Sequence, residues 1–196
     1  MVAALVGLLE HGEGEVRAVA AEALSNHRDP ALVAPLAKVF HEDEQPRPRK
    51  LSARALGQCR LPAAIEILKQ GLANPASPVG RIASANGLAI GRCPEAGALL
   101  RARLAQATSE DERVPCLQFL ALTRDPEAQP FLIGIARDVN APLSDRIAAI
   151  AGLTWIPGKQ SEETLLAVLG SDAALKLREK TVEGLMPQRR EDIPRC

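Results

Sequence analysis

The sequence predicts an all-α, right-handed solenoid of stacked antiparallel helix pairs, and two regularities carry the prediction. An arginine recurs at Arg17, Arg49, Arg81, Arg113, Arg146 and Arg178, at steps of 32, 32, 32, 33 and 32 residues. Seven residues after each stands a leucine: Leu24, Leu56, Leu88, Leu120, Leu153 and Leu185. A fixed period of this length marks a repeat array, whose units cannot bury their apolar faces alone and complete a core by stacking. No stretch alternates with period two for long enough to argue a strand.

The first helix of each unit starts near its arginine. Three residues on come Ala20, Ser52, Ser84, Cys116, Ala149 and Thr181, all small, and one further on Ala21, Ala53, Ala85, Leu117, Ile150 and Val182, all apolar. With the leucine these fall at i, i+3, i+4 and i+7, one stripe of a helix. The small residue admits a neighbouring helix at short range. A second helix follows. Pro30, Pro62, Pro94 and Pro126 lie thirteen residues after their arginines, and proline suits a first helical position. Asp29 and Asp125 precede two of them as N-caps. Leu36, Leu68, Leu100, Leu132 and Leu165, with Phe40, Leu72, Leu104, Ala136 and Leu169 four residues later, supply the second helix's own apolar seam.

One elongated domain over 1–196 results. It comprises a half unit at 1–12, repeats at about 13–44, 45–76, 77–108, 109–141 and 142–173, a final helix at 174–186 and a flexible tail at 187–196. The apolar stretch Val2–Leu9 matches a second-type helix with no first helix before it. An edge helix should be amphipathic, so this face is expected to be covered by a partner, a second copy or upstream repeats.

The pattern Val-Arg-x-x-Ala-Ala-x-Ala-Leu over Val16–Leu24 followed by Asp29-Pro30, and RKLSARALG over Arg49–Gly57, resembles the HEAT repeat, in particular the short type named after phycobiliprotein lyases. The third and fourth copies are looser, and the fifth moves its proline to Pro157 and gains a residue. The resemblance covers essentially the whole chain. It implies the solenoid fold, a structural role for the repeated arginine, and a concave surface lined by the second helices. It leaves function open, because the fold hosts unrelated roles.

Composition narrows the classes. Lys plus Arg equals Asp plus Glu, 24 against 24, so the basic surplus usual in nucleic-acid binders is missing. The rings are Phe40, Phe119, Phe131 and Trp155, with no tyrosine, which is poor equipment for stacking bases or sugars. Four cysteines (Cys59, Cys93, Cys116, Cys196) show no metal-type spacing. Cys116 takes the small-residue slot of its helix, while Cys59 and Cys93 lie in adjacent turns. The Met1–Leu9 segment lacks a basic region and a cleavage site, and no run of eighteen uncharged apolar residues exists to span a membrane. A reducing cytoplasm is the expected compartment.

Among single residues, Arg17, Arg49, Arg81, Arg113, Arg146 and Arg178 are expected to form a structural ladder. Each donates to carbonyls at the end of the preceding second helix or to a loop carboxylate. His41-Glu42 is one His-Glu pair, with counterparts Ala73-Asn74 and Ala105-Gln106. It falls short of the several pairs that the di-iron centre of deoxyhypusine hydroxylase, a HEAT-like enzyme, requires. A HEAT-like DNA glycosylase would need a basic, aromatic-lined groove, and Trp155 is expected to pack. No catalytic residue, metal or cofactor is expected. Lys38, His41, Lys69, Gln70, Arg101 and Arg137, on exposed positions of the second helices, are the expected partner-binding residues of a non-catalytic scaffold that takes a protein or peptide on its concave face. The alternatives are a bilin lyase or lyase-like subunit and a regulatory fragment of a larger signalling protein.

Overall fold

The computed structural model describes residues 1–74, 76–170, 177–179 and 182. Among these are eleven α-helices and no strand. The first helices of successive units are α2 (Gly14–Leu24), α4 (Pro46–Cys59), α6 (Pro78–Ile90), α8 (Glu110–Leu120) and α10 (Leu143–Leu153). The second helices are α1 (Val2–Leu8), α3 (Val33–Glu42), α5 (Pro62–Ala73), α7 (Ala96–Leu104), α9 (Ala128–Arg137) and α11 (Lys159–Gly170). The chain folds as an all-α solenoid.

The stripe behaves as its spacing demands. At the positions three, four and seven residues after each arginine, no side chain of α2, α4, α6, α8 or α10 is more than 1% exposed. Leu36, Leu68, Leu100 and Leu132 of the second layer are fully buried, and Leu165 nearly so. One apolar core therefore runs from Leu9 to Leu177. At its front end Val2, Leu5 and Val6 of α1 pack on that core, while Leu8 is 40% exposed. Of the expected final helix at 174–186, Leu177 is buried and Arg178, Glu179 and Val182 are exposed; its remaining residues and the 187–196 tail lie outside the described residues.

The prolines start turns more often than α-helices. Pro62 opens α5 directly, and Pro30 opens a 3-10 turn over Pro30–Leu32. Pro94 and Pro126 sit in turns closed by Ala96 N to Cys93 O and Ala128 N to Asp125 O, so α7 and α9 begin two residues later than the spacing suggests. Both aspartates serve as caps: Asp29 accepts from Ala31 N and Asp125 from Glu127 N.

Packing differs between the two layers. Each first helix packs on the next, and α4 against α6 is the most extensive contact in the molecule; contacts between successive second helices are sparser. Glycine is the cause at α4–α6. A Cβ on Gly57 would overlap the Gly87 carbonyl, one on Gly87 would lie 2.5 Å from the Ala53 oxygen, and one on Gly91 2.5 Å from the Gly57 oxygen. Backbone meets backbone here, closer than any side chain allows. The second layer is instead held apart by its leucines and Phe40.

Candidate functional site

The arginine ladder joins units in both directions. Backward, each guanidinium caps the end of the preceding second helix. Arg17 donates to His11 O and Gly12 O, Arg49 to Phe40 O (2.9 Å), Arg81 to Asn74 O (3.0 Å), Arg113 to Thr108 O (2.9 Å) and Arg146 to Ala136 O (3.3 Å). Forward, it reaches the loop before the next first helix or the opening turn of that helix. Arg17 grips Asp43 through Nε (2.6 Å) and Nη2 (2.8 Å), and Arg49 donates to Ser77 Oγ. Arg81 forks onto Glu112 (2.8 and 2.9 Å), and Arg113 donates to Asp145 at 2.8 Å. Arg178 is exposed.

Glu112 is the strongest joint. Burial pushes its carboxyl pKa up, but hydrogen bonds from Arg81 and Arg103, helped by their charges, outweigh burial and hold it at about 2. Asp43 is lowered as well, chiefly by its hydrogen bonds from Arg17. The paired Arg17 and Arg81 are raised in turn by their carboxylate partners.

The residues expected to bind a partner are mostly engaged within the solenoid. Lys38 pairs with Glu10 at 3.0 Å, Lys69 with Glu95, and Arg101 with Asp125. Arg137 donates to Thr164 Oγ1 at 2.9 Å, and Gln70 to Glu66 at 3.3 Å. His41 is exposed, its ring 4.7 Å from that of Phe40. The pairs of Lys38, Lys69, Arg101 and Arg137 each cross from one unit to the next. Four of the six are thus links between repeats along the second layer, Gln70 bonds within its own helix, and the six do not converge on one pocket. A cleft of about 870 Å³ lies between α1 and α3 and includes Lys38 on its wall.

Cys59, Cys93 and Cys116 are buried free thiols. Cys59 Sγ donates to His27 O at 3.3 Å and Cys93 Sγ to Glu95; burial pushes the Cys116 thiol up to about 12. Among the described residues no three His, Cys, Asp or Glu side chains gather as a metal site, and no helix is long and apolar enough to cross a membrane.

Two surface features escape a reading built on the buried stripe. One and nine residues after their arginines stand Ile82, Ile90, Val114 and Ile147, half-buried, and Leu122 and Trp155, exposed. Trp155, just past the end of α10, is 53% exposed and Leu122 40%. Further along the hairpin turns, Arg28, Arg60, Arg92 and Arg124 follow at the same 32-residue step and are all exposed. The first three line one cleft of about 330 Å³ together with Asn26 and Gln58. The period itself was the signal for this second row.

The molecule defined by these features is a two-layer helical-repeat solenoid whose polar chemistry is spent on joints and edges. Residues 2–89 match the family model of HEAT repeats, and that part of the chain consists of HEAT repeats. Among solved structures, the fold is similar to the complex of CpcE and CpcF of phycocyanin lyase from Nostoc sp. PCC7120, with a TM-score of 0.60 and 20% identity over 94% of this chain and 75% of that one. It also aligns with human deoxyhypusine hydroxylase in complex with glycerol, at a TM-score of 0.46 and 16% identity over 94% of this chain and 83% of that one. The first likeness shows a shared fold alone, in keeping with the phycobiliprotein-lyase type of repeat; the second is too distant to argue from. A search of curated proteins gives no match.

Proposed function

We propose that the protein is a non-catalytic scaffold that holds a partner protein or peptide along the flank formed by its first helices. The observation that carries this is the apolar row on that flank, with Leu122 and Trp155 exposed and Ile82, Ile90, Val114 and Ile147 half-buried beside them, spread over three consecutive units. Exposed apolar rows edged by polar side chains are typical of protein-binding surfaces. Large anchors such as Trp155 would carry most of the affinity. The phycocyanin lyase of similar fold is itself a complex of two proteins, CpcE and CpcF, a precedent for a solenoid of this kind working in assembly. A cytoplasmic location belongs to the same proposal, supported by three buried free thiols.

The test is affinity capture with the full chain, followed by direct titration of the captured and purified partner. Leu122→Glu with Trp155→Glu is expected to weaken that partner at least tenfold while circular dichroism stays unchanged. An unchanged affinity overturns the assignment of the flank.

A further inference from the structure

We propose that the turn-edge row Arg28, Arg60, Arg92 and Arg124 is a binding track for an extended acidic peptide segment of the partner. It rests on the scaffold assignment above and names the chemistry of what the scaffold holds.

Four observations converge. The row keeps the period of the fold, one guanidinium per unit over four units, and all four side chains are exposed. Among the described residues none of the four side chains has a hydrogen bond or ion pair within the protein, whereas those of the ladder arginines Arg17, Arg49, Arg81, Arg113 and Arg146 are all engaged. Arg28, Arg60 and Arg92 line a single cleft with no Asp or Glu on its walls. Gln58 lines that cleft too, and its buried Oε1 has no partner.

Backbone conformation adds a second line. Arg60 and Arg92 have φ of 54° and 56°, the left-handed region where glycine is at ease and a side chain is strained. Local folding would favour glycine at both positions. Strain retained at a surface arginine points to a use for the side chain.

Spacing and donors select the ligand. Helix layers stack at roughly 8–10 Å, so neighbouring guanidiniums repeat at about that distance. An extended polyproline-type peptide advances about 3.1 Å per residue, which brings every third side chain into step with the arginines. Carboxylates at that interval can each take a forked pair of N–H donors. The unpartnered Gln58 oxygen calls for an N–H donor, which a peptide backbone supplies and a phosphodiester backbone does not. No aromatic ring lines the cleft for bases to stack on.

The probe is a fluorescein-labelled (Glu-Pro-Pro)4 peptide, titrated by anisotropy at low salt against the full chain. Controls are (Gln-Pro-Pro)4 and a twelve-residue oligo-dT. The variant is Arg60→Gly with Arg92→Gly, which suits the left-handed backbone and keeps the thermal midpoint unchanged or higher. The acidic peptide is expected to bind the native chain, to lose at least tenfold in affinity in the variant, and to show a flatter salt dependence there. The proposal is overturned by an unchanged affinity in the variant, or by equal binding of the glutamine peptide. It is equally overturned if oligo-dT binds more tightly through the same two arginines. The two assignments separate cleanly. If capture of the partner depends on Leu122 and Trp155 yet survives the double glycine change, the scaffold stands and the track falls; arginine-dependent peptide binding without flank-dependent capture does the reverse.

Discussion

Replacing Glu112 by glutamine leaves the Arg81 guanidinium facing a neutral amide where little water reaches, the two side chains being 10% and 5% exposed. In the native chain the carboxyl titrates at about 2, against an ordinary 4.5. A depression of that size corresponds to about 3 kcal/mol of folding free energy. Breaking a buried pair from one side costs about 3–5 kcal/mol in general; Arg81 keeps the Asn74 carbonyl, so the lower end applies. For a chain of this length the thermal midpoint then drops by roughly 6–12 °C at pH 7. The folded pKa lies below the unfolded one, so the contribution is complete above about pH 5 and fades as pH falls from 4.5 toward 2. At pH 3 the gap between native and variant shrinks below about 1.5 kcal/mol. Urea melts followed by far-ultraviolet circular dichroism at pH 7, 4 and 3 measure it. A gap under about 1 kcal/mol at pH 7, or one that stays constant down to pH 3, refutes the reasoning.

Other outcomes follow from the packing. Gly87→Ala places a methyl 2.5 Å from the Ala53 oxygen and 2.9 Å from Leu68 Cδ1, and overpacking of backbone against backbone is expected to destabilise by about 2–3 kcal/mol in urea melts. Gly134→Ala, on the open side of α9 with nothing within 4 Å, should instead gain up to about 1 kcal/mol from helix propensity. If the two changes behave alike, the close approach of α4 and α6 is not what sets the cost. Cys116, with its thiol near 12, should resist iodoacetamide at pH 8 in the folded chain and react promptly in urea, as mass spectrometry would show. Rapid labelling of the folded protein would contradict its burial.

Fold was legible because it is written redundantly: the same stripe appears six times in letters, and each copy constrains the rest. The ladder was legible on its backward side, since carbonyls at a helix end need donors wherever the helix stops. Its forward side was harder, because the acceptor changes from Asp43 to Ser77 to Glu112 to Asp145 and holds no constant register with the arginine. Lys38, Lys69 and Arg101 looked like ligand contacts because their partners Glu10, Glu95 and Asp125 lie 24–28 residues away in sequence, a separation that only the stacking closes. The α4–α6 contact depended on where two helices cross, and single glycines such as Gly57 and Gly87 do not announce a crossing point. Arg60 and Arg92 were visible as letters, but their left-handed backbone was not.

The forward joints of Arg49, Arg81 and Arg113 each take their donor from one repeat and their acceptor from the one after. A repeat is consequently defined by its neighbours and not by itself. The second unit requires a hydroxyl behind it, the third a buried glutamate and the fourth an aspartate. Exchanging the second and third units would take Glu112 from Arg81 and set it against Arg49, whose own partner is a hydroxyl. The order of the modules is thereby locked by their seams, even though each module alone looks interchangeable.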